Sequence, residues 1–209
     1  MKANDAEMAR LFSRAERMGM CVVSHCERTR SILRRYLESG KVVRPARGIF
    51  ARTSYWDGLS RREQALHVLR TMQDMHPELV FCHESAAVAI GLSVSYERLD
   101  AVHVATTRSH RNANSKGVRW HVVADDKYVV VRGLRVTSLQ RTVFDCMRTA
   151  DFGQGLAVAD SALRLSGLSS SSFIACFRRI GVAHRPHSVR RPCKIAADAP
   201  EAGDERARR

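Results

Sequence analysis

At Gly40 the hydrophobic pattern changes from the period of a helix to that of a strand, and this switch limits the N-terminal fold more than any other feature. Upstream, at about 100° per residue, Ile32, Leu33, Tyr36 and Leu37 fall on one face of a helix over 28–39. Arg30, Ser31, Arg34, Arg35 and Glu38 fall on the other. Downstream, 41–44 and 48–52 read as two strands joined by the compact basic turn Pro45-Ala46-Arg47. Gly40 supplies the residue that takes a positive φ where the helix stops. The segment is therefore a helix with one packing face and one basic face, followed directly by a hairpin.

An amphipathic helix precedes it over 5–18, where Met8, Leu11, Phe12, Ala15 and Met18 recur at helical spacing. A short apolar stretch follows at 20–23. Ser24 with Glu27 has the form of a capping box from which a short helix is expected to start. The stretch 28–52 carries eight Lys or Arg against one Glu, in a chain with 35 Lys or Arg, 21 Asp or Glu and a net charge of +14. Charge of that size favours phosphate polyanions and anionic surfaces and says nothing of fold. The order of elements from 5 to 52, helix, helix and hairpin with the charge concentrated on the last two, predicts a winged helix-turn-helix over 1–52. In such a fold the second helix enters the major groove and the hairpin follows the backbone or minor groove. Arg30, Ser31, Arg34 and Arg35 are expected to face the groove, with Arg28, Lys41, Arg44 and Arg47 nearer to phosphates. A lone basic helix is more simply a solvated face. The basic hairpin beside it favours DNA.

The remainder predicts an α+β protein whose second domain, 53–180, mixes strands and helices. After a linker at 53–58, a helix over 59–75 places Leu59, Ala65, Leu66, Leu69 and Met72 inward. Strands are expected at 80–82, 101–106, 118–123 and 128–131, with a small-residue helix at 84–90. Thr137 or Ser138 caps a helix running to Met147 with Val143, Phe144 and Met147 inward, and helices follow at 155–165 and 170–180. From 181 to 209 periodicity gives way to Pro, Ala, Arg and Asp, which reads as a disordered basic tail.

Several classes lose ground. The apolar runs are too short to span a bilayer, and Met1-Lys2-Ala3-Asn4-Asp5 leads into a polar helical pattern, not a secretory signal. A cytoplasmic protein without a membrane partner is expected. The six cysteines contain no Cys-x-x-Cys pair, which fits reduced thiols. Cys21, His25 and Cys26 have ligand chemistry but no second pair at metal spacing, so no metal and no cofactor is expected. Asp125-Asp126-Lys127, with Asp100 or Glu84 upstream, contains the Asp-x-Lys of metal-dependent nucleases. The signal is poor, because a polar turn is expected between these two strands anyway. Ser85, His83 and Asp100 could form a nucleophile, base and orienter, but no nucleophile elbow surrounds Ser85, which reads as a helix start. Arg141 and Asp145 stand i, i+4, where an intrahelical ion pair competes with a partner contact. No catalytic residue is expected. The rival readings are an endonuclease-related protein and an interaction module with a nonspecific basic surface.

The run from Gly40 to Ala51, Gly-Lys-Val-Val-Arg-Pro-Ala-Arg-Gly-Ile-Phe-Ala, resembles the N-terminal winged helix of AbiEi-type antitoxins. Ser85-Ala86-Ala87 with Gly91-Leu92, then Val102-His103-Val104, look like successive landmarks of that family's second domain. So do Thr137-Ser138 with Arg141-Thr142 and Asp145, and Asp160 with Ala162-Leu163-Arg164. The likeness covers roughly 5–180. It implies a transcriptional regulator that binds the promoter of its own operon and a second domain that neutralises a nucleotidyltransferase-like toxin, a type IV toxin-antitoxin arrangement. Some members continue into an endonuclease-like domain. Here a basic tail stands in that place, so the resemblance implies a form without it. It leaves open the operator, the oligomeric state and the toxin's identity.

Overall fold

The computed structural model describes residues 2–107, 117–123, 127–167 and 169–183. These residues form an α+β fold. Helix α1 (Lys2–Arg17) leads through strand β1 (Val22–Val23) to helix α2 (Glu27–Glu38), and the hairpin β2 (Val42–Ala46) and β3 (Ile49–Arg52) follows. The three strands form an antiparallel sheet in the order β1-β3-β2, with Val22 opposite Phe50 and Val43 opposite Ala51.

This small sheet is covered on both faces, which explains why Ile49-Phe50-Ala51 is an unbroken buried run. Phe50, Val22 and Val42 face a core with Met8 and Phe12 of α1 and Ile32 and Leu33 of α2. Cys21, Ile49 and Ala51 face the other way, into a core with Leu66, Val68 and Leu69. Those three residues belong to helix α4 (Arg61–Met75), reached through the short helix α3 (Thr53–Trp56). Hydrophobic burial therefore runs without interruption across residue 52. Polar contacts reinforce it: the Cys21 amide donates to Thr71 Oγ1 at 2.8 Å, and Arg70 donates to the Gly19 carbonyl at 3.3 Å.

A five-stranded mixed sheet lies beyond α4, built from β4 (Val80–Phe81), β5 (Val102–Thr106), β6 (Val118–Val122), β7 (Val129–Val131) and β8 (Leu134–Val136). Its order is β6-β5-β4-β8-β7. The β5–β6 and β4–β8 pairs are parallel, and β4–β5 and β7–β8 are antiparallel. Helix α5 (His83–Ile90) follows β4 and is buried from His83 to Ala89, which its small residues Ala86, Ala87 and Ala89 permit. A 3-10 turn at Tyr96–Leu99 leads on to β5. Helices α6 (Leu139–Thr149), α7 (Phe152–Ser166) and α8 (Ser170–Ala183) close a third core around Val143, Val158, Ala162 and Phe173. No helix of the described residues is long and apolar enough to cross a membrane.

Several local expectations change. Ser24 does not cap a helix: its hydroxyl donates to the Cys26 carbonyl at 3.2 Å, and Cys26 in extended conformation is the residue from which α2 starts. Residues 53–58 are not a plain linker, because 53–56 make a helical turn. Leu11 and Met18 are exposed, since the packed stripe of α1 is Met8, Phe12 and Ala15 and the helix stops before Met18. Strand β8 is too short for its period to stand out in sequence. The capping box that does form is at α4, where Ser60 accepts from the Glu63 amide and Glu63 accepts from the Ser60 amide. Residues 181–183, expected to begin the tail, belong to the end of α8, while the rest of the tail, and Asp125 and Asp126 of the Asp-x-Lys, lie outside the described residues.

Candidate nucleic-acid interface

Helix α2 divides as its sequence period requires. Ile32 and Leu33 are buried, Tyr36 and Leu37 half-buried, and Arg28, Arg30, Ser31, Arg34 and Arg35 are exposed. Two of these arginines have acidic neighbours on the same helix: Arg30 Nη1 lies 2.6 Å from Glu27 Oε2, and Arg34 Nε lies 3.7 Å from Glu38 Oε1. All four side chains are mostly in solvent, where such pairs contribute about 0–1 kcal/mol and exchange readily for phosphate. Ion pairing on the helix therefore offers little resistance to a polyanion.

The hairpin continues the exposed basic surface. Lys41, Arg44 and Arg47 are all exposed, while Val42 between them is buried. A register shift between Val43 and Ala46 bends β2, and Gly48 at φ 76° completes the turn beside Arg47. Lys41 Nζ stands 5.4 Å from the Tyr36 ring centroid, joining the end of α2 to the start of β2. The Tyr36 hydroxyl in turn donates to Asp5 of α1, which pushes its own pKa up. The last arginine of the basic stretch has a different environment. Arg52 Nη2 donates to Ser13 and Glu16 at 3.2 Å, tying β3 to α1.

At the start of α2, Cys26 is exposed and its Sγ lies 3.1 Å from Thr29 Oγ1. Hydrogen bonding to Thr29 and to the helix-start backbone holds its thiol below the usual range. Cys21 is the opposite case: burial pushes it up to about 12. Cys21, His25 and Cys26 do not converge into a ligand group, since Cys21 is buried beneath the sheet and the other two face outward.

The alternative chemistry is dispersed. Ser85 Oγ accepts from the His103 amide at 2.8 Å, and Asp100 pairs with Arg119 at 3.2 Å. Neither ring nitrogen of His83 has a hydrogen-bond partner. Ser85, His83 and Asp100 therefore form no nucleophile, base and orienter chain. Arg141 and Asp145 do make the intrahelical ion pair, at 2.7 Å, with Asp145 wholly buried. Glu84 is held by Arg98, whose Nε donates at 2.6 Å. From the sequence, Cys82 reads as the end of a strand, and His83 and Glu84 enter only as candidate base and carboxylate, not as a group with Cys82. The available signal was three consecutive titratable residues where the apolar pattern demands core.

No protein-family model matches the chain, and no curated protein is significantly similar to it.

Proposed function

We propose that this chain is a cytoplasmic DNA-binding transcriptional regulator whose α2 and β2–β3 hairpin act as the recognition helix and wing of a winged helix. The observation that carries this reading is the two-sided division of α2. Its apolar face is fixed in a core, its opposite face presents Arg28, Arg30, Ser31, Arg34 and Arg35, and the adjoining hairpin adds Lys41, Arg44 and Arg47. A rigidly mounted basic face releases counterions from DNA and positions side chains at base edges, whereas a merely solvated helix has no need of a basic hairpin beside it. The resemblance to AbiEi-type antitoxins narrows the proposal to an autorepressor of its own operon, with a nucleotidyltransferase-like toxin as the partner of the second half.

The test is a fluorescence titration of the full chain against DNA from upstream of its own gene and against unrelated DNA, at two salt concentrations. Preference for the upstream fragment that survives the higher salt is expected. Equal, salt-labile binding to both fragments would reduce the surface to a nonspecific polyanion site and remove the regulator reading.

A further inference from the structure

Where β4 ends and α5 begins, three side chains with metal-ligand chemistry come together in the interior. Cys82, His83 and His121 each offer one ligand atom, and these atoms lie within 4.8 Å of one another. They are the one such group among the described residues. Cys82 and His83 come from the β4–α5 junction and His121 from the edge strand β6.

The environment is unusual for packed histidines. His83 is 1% exposed, yet neither Nδ1 nor Nε2 has a hydrogen-bond partner. Two orphaned buried nitrogens carry a desolvation cost that a folded core ordinarily avoids. Its backbone also sits at φ 48°, in the left-handed region that non-glycine residues seldom occupy. Strain and an unpartnered polar ring at one residue are the kind of local cost that a site retains for a ligand. The rings of His83 and His121 stack with centroids 3.8 Å apart, so the second imidazole is already against the first.

The surroundings complete the arrangement. His103 Nδ1 and His121 Nε2 share a hydrogen bond at 2.9 Å, and Glu84 Oε2 lies 3.4 Å from His103 Nδ1. His103 at Nε2 of His121 is the outer support that metal-bound imidazoles have, and it leaves Nδ1 of His121 for the metal. Glu84 Oε2 and Asp145 Oδ1 are buried carboxylate oxygens without hydrogen-bond partners, and both carboxylates act electrostatically on Cys82. Burial drives the Cys82 thiol up and the His83 imidazole down.

We propose that Cys82, His83 and His121 form a buried site for a divalent metal of borderline softness, Zn²⁺ or a close relative, that clamps the edge strand β6 to the start of α5. One thiolate and two imidazoles match the donor preference of that class, not of calcium or magnesium. Tetrahedral ligation at the usual bond lengths needs ligand atoms about 3.3–3.8 Å apart, so binding requires the stacked His83 and His121 rings to turn toward a common ion. On binding, the Cys82 proton leaves to solvent, the thiolate and the two neutral nitrogens donate to the metal, and no redox change occurs. A water closes the fourth position. The role is structural, independent of DNA contact by α2.

Cobalt(II) tests it, because a tetrahedral thiolate site gives visible ligand-field bands and a near-ultraviolet sulfur-to-metal charge-transfer band. The full chain, stripped with a chelator and without DNA, is titrated with Co²⁺ and then back-titrated with Zn²⁺. Both bands are expected to saturate at one equivalent and to be displaced by Zn²⁺. Cys82→Ser should abolish the charge-transfer band, His121→Gln should abolish saturation at one equivalent, and Cys26→Ser should leave both intact. His103→Ala, which removes only the outer support, should weaken Co²⁺ about 10–100-fold. Absence of stoichiometric bands in the wild-type chain overturns the proposal whether or not any variant folds. So does a charge-transfer band that survives Cys82→Ser. DNA affinity plays no part in these readings, so failure here and failure of the regulator reading are separable.

Discussion

Two pairs of charged residues, alike in a contact list, have opposite weight once burial is considered. Glu27 and Arg30 meet in solvent and contribute about 0–1 kcal/mol. Arg141 and Asp145 meet where Asp145 is fully buried and a second arginine, Arg148, stands 3.8 Å away. Arg141→Ala is therefore expected to destabilise the fold by about 3–5 kcal/mol, the cost of stranding a buried carboxylate. Glu27→Ala should change the unfolding midpoint little, and urea unfolding of both variants checks the contrast. The two exposed arginines of the wing carry a different expectation: Arg44→Ala with Arg47→Ala should lower affinity for all DNA sequences and flatten its salt dependence. Arg34→Ala or Arg35→Ala should cost about 1–3 kcal/mol at the operator and less on random DNA. Equal losses on both DNAs would remove the base-reading role. The cysteines make a residue-scale case of their own. With its thiol held below the usual range and fully exposed, Cys26 should react with iodoacetamide ahead of Cys21, Cys82 and Cys146, which burial pushes up. Peptide mapping after brief labelling decides it, and early label on Cys82 or Cys146 would contradict the packing described.

Among elements, α2 and its hairpin were the most legible part of the chain, because both are local: one glycine, one change of period and alternating burial. Gly40 at φ 71° has open space where a Cβ would point, so Gly40→Ala tests backbone conformation alone. It should cost roughly 1–2 kcal/mol in equilibrium unfolding, with α2 and β2 otherwise unchanged. No measurable loss would mean that the helix end relaxes to another geometry. The α4 capping box and the Ser138 cap of α6 follow the same local logic. Elements fixed by distant partners were less legible. Strand β8 owes its place to parallel pairing of Val136 with Phe81, and the first turn of α2 owes its start to Cys26, not to the better capping residue Ser24. The Cys82, His83 and His121 group was hidden for the same reason. His121 lies far along the chain on β6, and only the sheet order brings it to the β4–α5 junction.

At the scale of the whole molecule, the double coverage of β3 decides how the halves depend on each other. A boundary at 52 follows naturally from the sequence, since the basic hairpin ends there and a new helical period begins. Yet Ile49 and Ala51 point into the core of α4 and the large sheet, while Phe50, between them, points into the core of α1 and α2. Removing residues beyond 52 would uncover one whole face of the small sheet, leave the Cys21 amide without Thr71, and leave the Gly19 carbonyl without Arg70. A fragment ending at 52 also has too little interior to offset its conformational entropy without that face. The full chain is accordingly expected to unfold in urea as one transition, with circular dichroism and tryptophan fluorescence from Trp56 and Trp120 superimposing. Thr71→Val provides the perturbation. It keeps the shape of the buried side chain, removes the acceptor of the Cys21 amide, and should lower stability by about 1–3 kcal/mol while shifting both signals together. Two separated transitions, with only one moved by Thr71→Val, would instead mean that the N-terminal unit holds its basic face in place without α4. Its orientation against the second half would then be free to vary when DNA is bound.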